Sequence, residues 1–237
     1  MKKLVFLFIS ILIISGGPVF AQSVDDIINK HLEIIGQEKL AKAKSYTVEV
    51  VVNQMGMELP MTMKMKRPDK FRMEVDMQGQ KMIQAFDGKV GWAILPWISS
   101  EPQDLTDEQL KQARDQVGID DPFYQYKDRG LIAEFVGNDI KNEVDVFHIK
   151  LIDIDGKAGS YYIDTKNYYL VSTLQKVNSQ GTEIDVESTM SDYQITDGVA
   201  IARSIESKTS MGNMSVKINK IELNTPIDDA IFIKPVK

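Results

Sequence analysis

The feature that most constrains this chain is a strict period-two alternation over residues 55–77. Met55, Met57, Leu59, Met61, Met63 and Met65 occupy odd positions, with Gly56, Glu58, Pro60, Thr62, Lys64 and Lys66 between or after them. After a turn at Arg67-Pro68-Asp69, Phe71, Met73, Val75 and Met77 alternate with Arg72, Glu74, Asp76 and Gln78. A repeat of two puts every second side chain on one side of an extended backbone, so these are two strands with one apolar and one wet face. Eight of the 12 methionines lie between Met55 and Met82. Buried sheet faces favour stiff β-branched and aromatic side chains. Met is flexible and polarizable, and suits surfaces that must fit variable apolar partners. Two readings stand at this point: a core that happens to use Met, or an adaptable binding face.

The alternation recurs along the chain. Tyr46, Val48, Val50 and Val52 form a strand before the methionine pair, and residues 82–86 and 90–94 form two after it. From Leu131 onward the chain is again all strands, separated by Asp155-Gly156, Lys166-Asn167, Gln180-Gly181, Asp197-Gly198 and Gly212-Asn213. The reading gives about 12 strands, five before a helical insert at about 104–130 and seven after it. Turn signals this closely spaced imply antiparallel meanders. So many amphipathic strands cannot lie flat and must coil. The predicted fold class is mainly β with helical cover (α+β): a half-open antiparallel β-barrel of about 11–12 strands.

The cover has two parts. Ile27, Ile28, His31, Leu32, Ile34, Ile35 and Leu40 recur at helical spacing over 25–44, with Gly36 interrupting or bending that helix. In the insert, Thr106-Asp107-Glu108-Gln109 is a capping box flanked by Leu105 and Leu110, which starts a helix over about 107–117. Asp121-Pro122 predicts a second short helix through Phe123, Tyr124 and Tyr126, stopped by Gly130.

Residues 1–21 read as a secretory leader. Lys2 and Lys3 precede an apolar run from Leu4 to Ile14, Gly16-Gly17-Pro18 breaks it, and Val19-Phe20-Ala21 offers a cleavage site. No cysteine occurs, so an N-terminal lipid anchor, disulfides and thiol chemistry are excluded. The reading is a soluble exported chain, periplasmic, with one domain over 22–237. The formal charge is −6, or −8 once Lys2 and Lys3 leave with the leader. An acidic chain of this kind is not a nucleic-acid binder.

The search for chemistry is negative. The two histidines, His31 and His148, stand at no metal-ligand spacing. Asp153-Ile154-Asp155-Gly156 resembles part of a calcium loop, but Leu151 and Ser160 stand where ligands are needed, so it reads as a hairpin turn. Acidic pairs such as Asp120-Asp121 and Asp228-Asp229 are common on an acidic chain and single out no catalytic group. Neither a catalytic residue, a metal site nor a cofactor is assigned, and the chain is read as non-enzymatic.

Two local stretches carry a family resemblance. One is Lys66-Arg67-Pro68-Asp69-Lys70-Phe71-Arg72 followed by Phe86-Asp87-Gly88-Lys89 and Trp92. The other is Asn224-Thr225-Pro226-Ile227-Asp228-Asp229-Ala230-Ile231-Phe232, then Pro235. With the leader, the first helix, the meander and the insert, the chain resembles the outer-membrane lipoprotein carrier (LolA/LolB-like) superfamily, in its secreted branch. The resemblance implies a half-barrel with helices as a lid over an apolar cavity that shelters acyl chains of lipids or lipoproteins. The fold also serves envelope sensors or scaffolds that bind a protein partner, so both functions stay open. Carriers of the family hold the lid closed with an arginine; Arg72, on the polar parity of its strand, is not given that role.

The candidate ligand-binding residues follow from parity and cover. They are Met57, Leu59, Met61, Met63 and Met65 on one methionine strand, and Phe71, Met73 and Val75 on the next. Trp92 and Ile94 join them from the fifth strand, Trp97 from the mouth of the insert, and Leu110, Phe123 and Tyr124 from the insert itself.

Overall fold

A computed structural model describes residues 23–179, 182–210 and 212–235. The leader expected over 1–21 lies outside the described residues. The chain forms helices α1 (Val24–Ile35) and α2 (Gln37–Lys42), then strands β1 (Ser45–Gln54), β2 (Met57–Lys66), β3 (Lys70–Met77), β4 (Gln80–Phe86), β5 (Gly91–Leu95) and β6 (Ser99–Asp104). Helix α3 (Asp107–Val117) follows. The second half holds β7 (Ile132–Lys141), β8 (Val144–Ile152), β9 (Ala158–Asp164), β10 (Leu170–Ser179), β11 (Thr182–Thr196), β12 (Val199–Thr209) and β13 (Gly212–Leu223).

All 13 strands belong to one antiparallel sheet, in the order β6-β5-β4-β3-β2-β1-β13-β12-β11-β10-β9-β8-β7. Each hairpin neighbour in sequence is a neighbour in space, and one long-range pairing, β1 with β13, joins the two halves. β6 and β7 remain edges, so the sheet is open, and residues 105–131 run from one edge to the other. The half-open antiparallel architecture with helical cover is as the alternation predicted.

The sheet has one strand more than the sequence reading. β6 contains Pro102, which has no amide to give a ladder and is tolerated because β6 is an edge strand with irregular pairing to β5. The second insert helix is absent. Residues 122–130 are consecutive turns, with Tyr124 N–H donating to Asp121 O and Tyr126 N–H to Phe123 O, and Gln125 takes a positive φ of 51° that no helix continues through.

The caps form as the sequence indicates. Thr106 Oγ1 accepts from Gln109 N–H at 3.3 Å while Thr106 N–H donates to Gln109 Oε1 at 3.0 Å. Leu105 and Leu110 close over Gly91 of β5. Gly36 separates α1 from α2 in the left-handed conformation (φ 73°), and a Cβ there would collide with the backbone of Gly198. Only glycine serves, because the helix pair turns where it meets the β11–β12 hairpin.

Register fixes the two faces of the sheet. Across β1, β2 and β3, Val50 faces Met61 and Met61 faces Val75; Val48 faces Met63 and Met63 faces Met73; Met65 faces Phe71. These form the concave, inner face. Buried side chains form three clusters along it. Ile27, Ile28, Phe123, Tyr126, Ile149, Tyr161 and Ile163 pack α1 and the 122–126 turns onto β8 and β9. Phe71, Phe86 and Ala113 pack α3 onto β3 and β4. Tyr46, Val48, Val50 and Ile221 lie between these two, on β1 and β13.

The C-terminal segment crosses the opposite, outer face. Ser45 Oγ donates to Thr225 O at 2.6 Å, Arg72 Nη1 to Ile231 O at 2.8 Å, and Trp92 Nε1 to Phe232 O at 2.8 Å. Asp229 pairs with Lys66 and Lys70, which holds its carboxyl below the usual carboxylate range. Both stretches singled out by their resemblance therefore meet, the 66–72 turn and strand beneath the 224–232 strap.

Candidate functional site

The inner face between the two packed ends is not filled. A cavity of about 670 Å³ lies between the sheet and the cover. Its floor is Val48, Val50 and Val52 of β1, Met61 and Met63 of β2, Met73 of β3, and Val216, Ile218 and Ile221 of β13. Its roof is Ile35 and Leu40 of the helix pair with Ile119 of the segment after α3. Met190, Ile201 and Ile205 of β11 and β12 close one side. The floor is apolar because each strand offers alternate residues to it, a direct outcome of the period-two pattern.

The roof is fastened by polar contacts at the edge of this apolar space. Arg67, in the β2–β3 turn, grips Asp120 with two parallel bonds, Nη1 to Oδ2 at 3.0 Å and Nη2 to Oδ1 at 2.9 Å. Its Nε donates to Ala43 O at 3.0 Å and Nη2 reaches Leu40 O at 3.4 Å. One planar guanidinium thus joins a strand turn, the end of α2 and the segment after α3, a geometry a lysine cannot copy. Hydrogen bonding to Asp120 raises the Arg67 pKa further. The fully buried Gln37 completes the fastening, donating from Nε2 to Asp120 Oδ1 at 2.9 Å and accepting from Asp121 N–H at Oε1 at 3.0 Å.

His31 holds the same segment from α1. Its Nδ1 lies 2.6 Å from Tyr168 O and its Nε2 lies 3.0 Å from Asp121 Oδ2. A carbonyl oxygen only accepts, so Nδ1 carries a proton. With a second proton between Nε2 and the carboxylate, the pair is a buried imidazolium–carboxylate contact. Burial by itself lowers the His31 pKa, but the charge and hydrogen bond of Asp121, with the Tyr168 carbonyl, outweigh it and raise it. The other Asp121 oxygen accepts from Phe123 N–H at 2.8 Å, which starts the turns that carry Phe123 into the packed end.

The structure brings together only part of the residue set expected from sequence. Met61, Met63 and Met73 line the cavity. Met65, Phe71 and Leu110 pack in the cluster under α3 instead, and Val75 is buried opposite Met61. Leu59 is half-buried further along β2, and Met57, 52% exposed, stands at its outer end. Phe123 is fully buried in the other cluster, with half-buried Tyr124 beside it in the turns.

Trp92 and Ile94 depart from the expected facing. Phe71 faces Phe86 and Phe86 faces Gly91, so Gly91 and Ala93 take the inner side of β5. Trp92 and Ile94 therefore point to the outer face, where the Arg72 guanidinium lies 5.6 Å from the Trp92 ring centre. Trp97 is 56% exposed in the β5–β6 turn. A hairpin that shifts register by one residue reverses every side chain after it, and parity within one strand does not reveal that shift.

Arg67, Asp120, Asp121, Gln37 and His31 were not assigned from sequence. Arg67 read as part of a turn, Asp120 and Asp121 as one acidic pair among many. Their contacts with one another join positions 53 to 90 apart along the chain. Among the described residues there is no group of three or more His, Cys, Asp and Glu side chains able to hold a metal ion. No helix among them is long and apolar enough to cross a membrane.

Comparison with solved structures decides the fold. A LolA superfamily protein from Nitrosomonas europaea superposes with a TM-score of 0.60 at 14% identity, covering 89% of this chain and 97% of that one. The chain has a LolA-like fold. A DUF1329 family protein from Desulfovibrio piger gives 0.59 at 10% identity, over 87% of this chain and 97% of that one. A Vibrio parahaemolyticus domain described as an outer membrane lipoprotein-sorting protein gives 0.54 at 14% identity, over 86% and 97%. No protein-family model and no curated protein sequence matches the chain. At identities this low the likeness is one of fold, and the function rests on the cavity.

Proposed function

We propose that this protein is a non-enzymatic periplasmic binding or carrier protein that shelters acyl chains of a lipid or lipoprotein, exported by a leader over residues 1–21. The observation that carries the reading is the apolar cavity of about 670 Å³ beneath a roof held by side-chain contacts. A pocket of a few hundred Å³ with an apolar lining is the usual form of a small-ligand site. Moving methylenes from water into it supplies about 0.8 kcal/mol each, so affinity needs no polar chemistry. Arg67–Asp120 ties the roof to the β2–β3 turn and His31 to Tyr168 O ties it to the β9–β10 turn, and these polar ties leave the roof as the part able to open.

Native mass spectrometry of protein purified from a periplasmic extract tests this. Bound lipid, or displacement of a fluorescent fatty-acid probe by added lipid, is the expected result. Protein with no lipid and no affinity for the probe contradicts it. The double substitution Met61→Asp and Met63→Asp, which puts two charges on the cavity floor, abolishes probe binding on this reading.

A second reading, an envelope sensor or scaffold that binds a protein partner, is favoured by one difference between the sheet edges. β6 is short and carries Glu101, Pro102 and Asp104, all features that discourage pairing with another chain. β7 has 10 residues and exposes Ile132, Phe135, Val136 and Ile140. Crosslinking from positions on β7 captures a protein on this reading, and the capture survives removal of lipid.

A further inference from the structure

Thioether sulfurs gather on the cavity floor where an apolar lining alone needs only the valines and isoleucines beside them. Val48 and Val50 of β1 and Val75 of β3 border the spot, side chains with no donor atom. Between them Met63 stands directly opposite Met73, and Met61 lies two residues along the same strand as Met63. All three line the cavity; Met73 is buried, and Met61 and Met63 are half-buried. The other two methionines of the lining stand singly: Met190 faces Ile205, and Met214 faces Ser207 and Gln54.

Strand geometry sets how close three sulfurs can come. Directly opposite residues of an antiparallel pair have Cβ atoms roughly 4.5–5.5 Å apart, and diagonal ones roughly 7–8 Å. Residues two apart along one strand are separated by roughly 6.8 Å. The Cβ atoms of Met61, Met63 and Met73 therefore form a triangle whose centre is roughly 4 Å from each corner. A methionine sulfur lies two bonds beyond its Cβ on a flexible chain, and a metal–sulfur bond is roughly 2.3 Å on the scale of zinc sites. Three sulfurs reach one ion above that centre without moving the backbone.

The donor chemistry selects the ion. Thioethers are soft, uncharged ligands that suit Cu(I), whereas Mg²⁺ and Ca²⁺ take oxygen ligands. The harder groups on the roof are committed elsewhere. Asp120 accepts from Arg67 and Gln37, Asp121 contacts His31 and accepts from Phe123 N–H, and His31 is held at both ring nitrogens. The chain has no cysteine, so no thiolate competes for a soft ion, and its formal charge of −6 favours a cation.

From this placement we infer that Met61, Met63 and Met73 form a three-sulfur binding site for a soft monovalent cation, Cu(I) in nature, with Ag(I) as its probe. The site shares the cavity with the acyl-binding reading above and does not depend on it.

The test titrates Ag(I), and Cu(I) kept reduced with ascorbate, into the delipidated full chain. Native mass spectrometry gives the stoichiometry, and competition with a chromogenic Cu(I) chelator gives the affinity. One ion per protein is expected. The ¹³C-methyl signals of Met61, Met63 and Met73 shift, and that of Met55, 78% exposed at the β1–β2 hairpin tip, stays in place. Met63→Leu and Met73→Leu keep the apolar volume and remove one sulfur each. Each weakens binding by about tenfold or more, whereas Met55→Leu leaves it as it was. Affinity unchanged in both floor variants, shifts confined to Met55 and Met57, displacement of the ion by excess Ca²⁺, or failure of both ions to bind each overturns the site. Should a floor variant not fold, the methyl shifts of the unaltered protein decide alone. No lipid is present in the titration, so its failure leaves acyl binding standing. Protein that binds Ag(I) and no palmitate overturns the acyl-binding reading and keeps the metal site.

Discussion

Two regions of the inner face are covered by similar means and come out differently. Over β8 and β9 the Phe123 and Tyr161 rings lie 4.9 Å apart at a tilt, and Ile149, Ile163, Ile27 and Ile28 are buried with them. Over β1, β2 and β13, in the middle of the sheet, the floor is Met, Val and Ile beneath a cavity of about 670 Å³. Rigid rings and branched chains interlock under a helix that has a strong apolar stripe. Methionines meet a roof held off by an arginine clamp and a buried histidine. The first region acts as the foundation, the second as the receptacle.

That contrast predicts a graded set of outcomes. The largest effect belongs to the foundation: Phe123→Ala costs about 3–5 kcal/mol of stability, measured by urea unfolding. Met63→Ala, at a half-buried position on the cavity floor, costs less, on the order of 1 kcal/mol. Equal losses at the two sites would erase the distinction between packed and unpacked regions.

Next is the clamp. Arg67→Ala leaves Asp120 with Gln37 as its remaining partner, and because the ion pair is about one-third exposed the stability loss is about 1 kcal/mol. Its sharper consequence is on motion: a bound probe leaves faster, since the roof loses its tie to the β2–β3 turn. Arg67→Lys restores the charge without the two-pronged grip and recovers only part of the slow release. Probe dissociation rates unchanged in both variants would remove Arg67 from the gating account.

A smaller effect concerns pH. The folded state raises the His31 pKa, so the His31–Asp121 contact contributes fully below the ordinary histidine value. That contribution is lost as pH rises through the raised value. Thermal stability should therefore fall as pH rises above the ordinary histidine value, and His31→Gln should flatten that part of the profile. The smallest effect is at Met57→Ser, within about 0.5 kcal/mol because the side chain is already half in water.

Much of the fold was legible in the sequence. Alternation at Tyr46–Val52 and Met57–Val75 placed the strands, Thr106 and Gln109 placed the start of α3, and Gly36 marked the break between α1 and α2. β6 was missed because Pro102 argues against a strand unless its place at the sheet edge is known. The receptacle was legible only in part. Met61, Met63 and Met73 follow from parity, but Trp92 falls on the other face because hairpin register, not parity, decides it. Whether a Met floor is filled or empty depends on what stands above it. That is set by Arg67, Asp120, His31 and Asp121, whose meeting is a property of the folded chain.

The methionines themselves offer the most direct test, since they populate both sheltered and exposed sites. The ¹³C-methyl methionine spectrum of the protein is recorded while palmitate is added. The account predicts shifts at Met61, Met63 and Met73 on the cavity floor and at Met190 and Met214 on its walls, with Met77 and Met82 unmoved. Saturating palmitate that leaves the floor methyls in place, or moves all the methionines alike, would contradict it.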